Sequence, residues 1–185
     1  RFGSVSPTTA AHVREDLGAA VDVVLDGGPC EVGVESTIVD VTGACPTILR
    51  PGGVTRESLQ AALGRSLPVG SKGSVRAPGR HPSHYAPRAK VVLVAPDEVV
   101  DEADRLHARG HWVGALLPPA LEGVRCAGDV LPVPRSMADY ARQLFDLLRE
   151  LDRRGCDVIV ASLPRGTGLG LAIADRLRRA AGVGR

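Results

Sequence analysis

The sequence predicts an α/β protein built in two parts. Beyond residue 90, continuous apolar strands alternate with amphipathic helices, which is the pattern of a small, doubly wound, mostly parallel sheet. Before residue 69, short β-rich segments and capped helices indicate a second α/β piece. Between them the chain is rich in Pro, Gly and basic side chains, which is typical of a linker. We therefore predict domains at 1–68 and 90–185, joined by a linker at 69–89.

The first part is predicted to contain two helices and three strands. Thr8 or Thr9 can cap a helix that ends before Gly18, and Thr55 can cap a second helix that ends before Gly64. Runs rich in β-branched residues and bounded by Gly-rich turns predict strands. The predicted helices are 10–17 and 55–63, and the predicted strands are 21–25, 33–41 and 47–50.

The second part is predicted to repeat strand and helix. Its strongest signal is the helix between Ser136 and Gly155, where seven apolar residues recur at a spacing of 3.6. The predicted strands are 90–95, 112–117, 129–134 and 157–161, and the other predicted helices are 97–108 and 169–181.

Composition excludes several classes of protein. Hydrophobic residues make up 44% of the 185 residues, which argues against wholesale disorder, and a net charge of +2 gives no case for a nucleic acid or a membrane as partner. The sequence contains no membrane-spanning run and no signal-peptide core, so we expect a cytoplasmic protein. The four cysteines lack metal-site spacing and are predicted to be buried free thiols. The chain opens on Arg1 without a Met, just before a helix start, and we interpret it as a fragment.

Three segments carry residues that could take part in chemistry, and the first two of them suit an anion. Ser6-Pro7-Thr8-Thr9 places hydroxyls and free amides at a helix start, where phosphate can bind, although taken alone a simple N-cap is the better explanation. Arg50 stands at a strand end before Pro51-Gly52-Gly53 and could fork onto a phosphate or carboxylate, or could be an ordinary surface Arg. The linker 76–88 contains two His and a Tyr among prolines, yet a solvated tether is the simpler interpretation.

A fourth segment imitates a dinucleotide-binding loop. Gly166-Thr167-Gly168-Leu169-Gly170 follows a strand and precedes a helix, but its glycine spacing differs from the G-x-G-x-x-G pattern. We predict a tight helix start there.

The order of four motifs resembles the long-form, YrdC-type threonylcarbamoyl-AMP synthases. The motifs are Ser6-Pro7-Thr8-Thr9-Ala10-Ala11-His12-Val13, Gly33-Val34-Glu35-Ser36-Thr37-Ile38-Val39-Asp40, Ile48-Leu49-Arg50-Pro51-Gly52-Gly53-Val54-Thr55 and His84-Tyr85-Ala86-Pro87. The resemblance implies that 1–68 is the C-terminal portion of a YrdC-like catalytic domain and that 90–185 is a Rossmann-like accessory domain. It also implies a nucleotidyltransferase that makes threonylcarbamoyl-AMP from L-threonine, bicarbonate and ATP, releasing pyrophosphate.

The resemblance also assigns roles to residues and partners. Thr8 and Arg50 would bind ATP, Ser36 would bind threonine, and His84 and Tyr85 would form part of a lid over the cavity. Mg²⁺ would arrive on the triphosphate. A partner complex would transfer the threonylcarbamoyl group to tRNA, giving N6-threonylcarbamoyladenosine.

Two departures from the family pattern bear on activity. The family's Lys/Arg pair and Ser-Ala-Asn motif, which lie upstream of Ser6, are absent, so we expect this chain alone to be inactive. In the linker, Arg80-His81-Pro82-Ser83 replaces the family's usual residues, which leaves the individual lid contacts open.

Two other functions compete with the enzyme. The C-terminal α/β domain could be a non-catalytic module that senses nucleotides or binds a partner. Weak binding of tRNA or double-stranded RNA through a basic face is a further hypothesis, against which the small net charge counts.

Overall fold

The structure, a computed structural model, describes residues 3–70 and 84–183. Most of the predicted linker therefore lies outside the described residues. Helix α1 (Ala10–Leu17) comes first, and two short antiparallel strands follow, β1 (Ile38–Asp40) and β2 (Thr47–Arg50). Helix α2 (Arg56–Leu63) comes next. Thr9 caps α1 and Thr55 caps α2, each accepting a hydrogen bond from the amide three residues on.

Two strand predictions in this part are wrong. Residues 21–25 are irregular, and Val23 and Leu25 are 75% and 91% exposed, because no strand within 3–70 and 84–183 lies beside them to complete a hydrogen-bond ladder. The strand predicted at 33–41 shortens to β1. Gly33 has a φ of 75°, and the Glu35 carbonyl accepts a hydrogen bond from the Gly53 amide instead of from a neighbouring strand.

The second part contains a parallel sheet. Within the described residues it has four strands, β3 (Lys90–Val94), β4 (Val113–Leu117), β5 (Asp129–Pro132) and β6 (Val158–Ser162), in the spatial order β3-β6-β4-β5. Helix α3 (Val99–His107) packs on one face, and helices α4 (Met137–Arg153) and α5 (Leu169–Ala180) pack on the other. The predicted α/β class with a parallel sheet is confirmed.

The helices and strands in this part begin and end within one or two residues of their predicted bounds. One predicted helix also differs in type at its start. The helix predicted at 97–108 opens with a 3₁₀ turn at Pro96–Glu98 before α3 begins. All four cysteines are free, but the prediction that they are buried is wrong for Cys30 and Cys45, which are exposed.

The two parts pack against each other along α4. A Cβ on Gly33 would lie 2.2 Å from the Cα of Arg142, so the chain crosses α4 at backbone contact distance. Arg149 of α4 donates to both carboxylate oxygens of Asp16 and to the Val5 carbonyl. The Ala86 amide, near the end of the linker, donates to the Gly3 carbonyl. These contacts bring the predicted site residues together beside α4 and α5.

Over the described parts of the chain, no helix has the length and apolar character that crossing a membrane would need.

Candidate active site

Arg50 and Ser36 form the centre of the site. Arg50 ends β2 and is buried, and its Nε and Nη2 atoms donate to the Ser36 carbonyl at 3.1 and 2.9 Å. Nη2 also donates to the Ser36 hydroxyl at 3.2 Å. A guanidinium beside a hydroxyl suits a carboxylate or phosphate ligand. The sequence placed these two residues in separate motifs, and the structure brings them into direct contact.

Glu35 lies next to this pair and is held on both sides. One carboxylate oxygen accepts from the Ser6 hydroxyl at 2.6 Å, and the other accepts from Arg176 Nε at 2.6 Å. Burial by itself would raise the pKa of Glu35, but the charge of Arg176 and these hydrogen bonds outweigh it and lower the pKa. Glu35 is therefore a carboxylate at neutral pH.

Tyr85 packs under two arginines at the end of the linker. Its ring stacks on Phe145 of α4 at a centroid distance of 5.7 Å, and the guanidinium carbon of Arg176 lies 4.9 Å from the ring centroid. Arg50 Nη1 is 3.5 Å from the Tyr85 hydroxyl, at the limit of a hydrogen bond. Burial raises the pKa of Tyr85. The residue predicted as a lid is thus part of the packed site.

His84 lies against Tyr85 in an edge-on arrangement, with ring centroids 4.1 Å apart. Burial lowers the pKa of His84, and the charges of Arg179, Arg176 and Arg50 lower it further, although Glu35 opposes them. A neutral imidazole follows at pH 7, because its pKa falls below an ordinary value of 6.5.

Thr8 lies in a different part of the site. Its hydroxyl donates to Asp146 of α4 at 2.6 Å and lies 3.2 Å from His12 Nδ1. It lines a cleft of about 470 Å³ together with Ser6, Glu35 and Phe145. A phosphate at Thr8 would have to replace the Asp146 carboxylate as the acceptor, so contact with ATP at this position stays a prediction.

Sequence reasoning missed Arg176, although a signal for it exists. In α5 the apolar residues that pack into the core recur at helical spacing, and Arg176 occupies one of these positions. The stripe comprises Leu169, Ala172, Ile173, Arg176, Leu177 and Ala180. A charged residue on a buried stripe needs partners, which here are Glu35, Asp175 and the Tyr85 ring.

The glycine-rich loop before α5 starts the helix, as predicted, at Leu169. A carboxylate already lies at this helix start, because the Gly168 amide donates to Glu57 Oε1 at 3.3 Å. Gly170 is required for close approach, since a Cβ there would lie 2.1 Å from the Arg165 carbonyl oxygen.

The class of this protein is a mixed α/β fold with a parallel sheet and with two buried arginines, Arg50 and Arg176, beside Ser36 and Glu35. Comparison with known proteins identifies the family. The family model for the threonylcarbamoyl-AMP synthase C-terminal domain matches residues 54–182, and a second model, described as telomere recombination, matches residues 1–52. The chain therefore belongs to the threonylcarbamoyl-AMP synthase C-terminal domain family.

Several named relatives share nearly the whole chain. Threonylcarbamoyl-AMP synthase from Pyrococcus abyssi is 38% identical over 97% of this chain and 55% of its own length. The enzyme of the same name from Bacillus subtilis is 35% identical over 97% of this chain and 54% of its own. The chain thus spans about half the length of these curated relatives.

Solved structures agree with these matches. The crystal structure of P. abyssi Sua5 complexed with L-threonine superimposes with a TM-score of 0.86 at 35% identity, covering 98% of this chain and 56% of that one. A variant of the same protein, in which an adjacent His and Tyr are both replaced by Ala, gives a TM-score of 0.85 at 34% identity, covering 98% and 54%.

Proposed function

We propose that this chain is part of a threonylcarbamoyl-AMP synthase. In this reaction the threonine nitrogen bonds to the carbon of bicarbonate with loss of water, giving a carbamate. A carbamate oxygen then attacks the α-phosphorus of ATP, and pyrophosphate leaves. Both steps gather negative charge in one place, so the protein's task is to position and neutralise anions. The direct, partly buried contact of Arg50 with Ser36, next to Tyr85, carries the proposal.

The proposed roles follow from what each group can donate. Ser36 offers a hydroxyl to L-threonine, and Arg50 offers a fixed positive charge to the nucleotide. Thr8 would contact the ATP phosphates from the neighbouring cleft. Because the matched P. abyssi structure is a complex with L-threonine, a threonine site in this chain is a supported hypothesis.

His84 and Tyr85 would act as part of a lid. Their support is the packing of Tyr85 between Phe145 and Arg176, next to Arg50. The double-alanine variant of the P. abyssi protein replaces an adjacent His and Tyr, and His84-Tyr85 is an adjacent pair of the same kind. A lid that excludes water would protect the carbamate from hydrolysis.

Mg²⁺ would enter the site as part of the substrate. Among the described residues there is no group of three or more His, Cys, Asp or Glu side chains arranged to hold a metal ion. We therefore propose that the ion arrives on the ATP phosphates, which are its usual ligands.

The second part of the chain would be a Rossmann-like, doubly wound accessory domain that supports the catalytic portion. Its α4 and α5 provide Phe145 and Arg176 to the site. We propose a cytoplasmic location and, downstream, a complex that transfers the threonylcarbamoyl group to tRNA.

The sensing-module hypothesis is disfavoured by one contact. In a doubly wound sheet, a nucleotide phosphate would bind at the start of α5, at the carboxyl end of β6. The Glu57 carboxylate is hydrogen-bonded to the Gly168 amide there, and a phosphate would meet its negative charge.

Pyrophosphate release with L-threonine, bicarbonate and Mg-ATP tests the proposal. The assay compares this chain with one extended upstream to the length of its relatives. We expect threonine-dependent release from the extended form, and loss of at least about a hundredfold on Arg50→Ala, since a buried charged donor would be removed. Arg65→Ala is the matched control, because Arg65 is exposed and, within the described residues, its side chain hydrogen-bonds only to Ala44 and Cys45. No threonine-dependent release from a folded extended form would reject the synthase.

A further inference from the structure

Arg176 is a fully buried charge that joins three parts of the molecule. Its side chain is 0% exposed, donates to Glu35 at 2.6 Å and to Asp175 at 2.8 Å, and lies over the Tyr85 ring. Glu35 belongs to the first part of the chain, Tyr85 to the last residues of the linker, and Arg176 to α5. The Arg176 side chain, which belongs to the second part of the chain, thus contacts both the first part, at Glu35, and the linker, at Tyr85.

Packing alone does not account for an arginine at this position. Burying a guanidinium costs free energy. A protein with apolar residues of similar volume in place of a buried ion pair is often as stable as the original, or more stable. Asp175 neutralises part of the charge, but it also accepts from Arg179 Nε at 3.0 Å. The Nη2 atom of Arg176 is buried with no hydrogen-bond partner in the described part of the chain, and the Tyr85 face lies next to the guanidinium. An arginine at position 176 is therefore better explained by its positioning of Glu35 and Tyr85 than by a contribution to the stability of the protein.

The Glu35 segment is fixed tightly enough to transmit that positioning. A Cβ on Gly52 would lie 2.3 Å from the Glu35 carbonyl oxygen and 2.4 Å from the carbon of the Ser36 carbonyl, so the two chain segments touch at backbone distance. The Ser6 hydroxyl holds the Glu35 carboxylate from the side opposite Arg176. A shift of Glu35 would therefore move the adjacent Ser36 and its contact with Arg50.

Tyr85 is held in a conformation that needs support. With a φ of 62°, it is the only non-glycine residue in 3–70 and 84–183 with a positive φ. That conformation is unfavourable for a bulky residue and persists only where the surroundings enforce it. Arg176 on one side and Phe145 as stacking partner supply the enforcement.

We propose that Arg176 is a positioning residue of the site: by holding Glu35 and Tyr85, helix α5 fixes the Ser36–Arg50 pair and thereby sets the affinity for L-threonine. This inference rests on the proposed function. It gives the second part of the chain a defined role in substrate binding without contact between Arg176 and the substrate.

Steady-state kinetics of the upstream-extended chain test the inference. Arg176→Met should raise the KM for L-threonine by about tenfold or more, the loss expected when a buried charged partner is removed, while kcat and the KM for ATP change less. Arg176→Lys keeps the charge without the planar fork and should give a smaller rise in the same direction. Arg178→Met is the matched control, since Arg178 lies on the same helix and its side chain makes no hydrogen bond or ion pair with the described residues. It should leave all three constants unchanged.

Tyrosine NMR of the 185-residue chain gives a readout that a general loss of stability would not produce. The chain has two tyrosines, and Tyr140 serves as an internal reference, since the hydrogen bonds and the ring contact described for Arg176 do not involve it. Arg176→Lys should shift the ring signals of Tyr85 and leave those of Tyr140 in place.

The outcomes separate the inference from the function on which it rests. An active wild type whose KM for threonine stays within about twofold in both Arg176 variants, or an unshifted Tyr85 signal, overturns the inference alone. A folded wild type without threonine-dependent activity overturns the proposed function, and the inference falls with it.

Discussion

At the scale of single residues, Gly33 shows how one backbone position joins the two parts of the chain. Its φ is 75°, and an added Cβ would lie 2.2 Å from the Cα of Arg142 and 2.4 Å from the Ala141 carbonyl oxygen. Both neighbours are helix backbone and cannot move aside cheaply. Gly33→Ala should lower the free energy of unfolding by about 2–4 kcal/mol, from overpacking and the positive φ together. Urea denaturation measures the change.

Gly43→Ala provides the control for that experiment. No heavy atom lies within 4 Å of the position a Cβ would take there, and the φ of Gly43 is outside the positive range. We expect a change of no more than about 0.5 kcal/mol. Equal urea midpoints for the Gly33 and Gly43 variants would show that the contact with α4 is not formed in solution.

The residue scale also shows how far the sequence predicts the site. The motifs containing Ser36, Arg50 and Tyr85 were recognisable, and the structure places these residues together. The roles assigned to them stay predictions. Arg176 is far away in sequence from Glu35, so only the tertiary fold could pair them. The position of Arg176 on the apolar stripe of α5 indicates from sequence that this charge has a partner, but it does not identify the partner.

At the scale of elements, local signals fixed the helices better than the strands. Thr9, Thr55 and Ser136 each accept a hydrogen bond at a helix start, and such caps depend only on nearby residues. A strand also needs a partner, which the Val-rich residues at 21–25 lack within the described ranges. Strand β2, by contrast, was predicted at its observed bounds because turns on both sides delimit it.

The Arg149 side chain connects helix α4 to helix α1. It lies on α4, and its Nη1 and Nη2 atoms donate to the two carboxylate oxygens of Asp16, which lies on α1, at 3.0 and 2.6 Å. Arg149→Met would leave Asp16 and the Val5 carbonyl without this partner, and should lower the free energy of unfolding by about 2–4 kcal/mol. Urea denaturation gives the magnitude, and hydrogen exchange of α1 amides locates the loss.

A second arginine on α4 supplies the comparison. Arg153 is half exposed and forms an ion pair with Glu150 on its own helix at 2.9 Å. Pairs of this kind contribute about 0.5 kcal/mol or less, so Arg153→Met should be nearly neutral. If the two variants lost the same stability, attachment of α1 would not depend on Arg149.

At the scale of the whole molecule, the two parts are held together by charge pairs that respond to acid. The hydrogen bond from Arg149 lowers the pKa of Asp16, and the charge of Arg176 helps to lower that of Glu35 against the effect of burial. A carboxyl group with a depressed pKa stabilises the fold above its ordinary pKa, and this stabilisation is lost as the pH falls through the depressed value. Protonation of both carboxyl groups would therefore weaken the attachment of the first part of the chain to α4 and α5.

Two histidines should make the molecule sensitive to pH before those carboxylates titrate. Burial lowers the pKa of His12 and of His84, with nearby arginines adding to the effect. The unfolded chain then binds protons from about pH 6.5 downwards while the folded chain does not, so the free energy of unfolding should decrease as the pH falls below about 6.5. Urea midpoints between pH 7.5 and 5.0 measure this slope.

Substitution of the histidines isolates their contribution. A variant with His12→Gln and His84→Gln should lose most of the slope between pH 6.5 and 5.0, because neither state then gains a proton at these positions. His107→Gln, at an exposed position on α3, should keep the slope of the wild type. A wild-type midpoint that stays level down to pH 5.0 would mean that these two imidazoles reach water in the folded protein. In that case the packing of His84 on Tyr85, and of His12 against Thr8, would be looser than the structure describes.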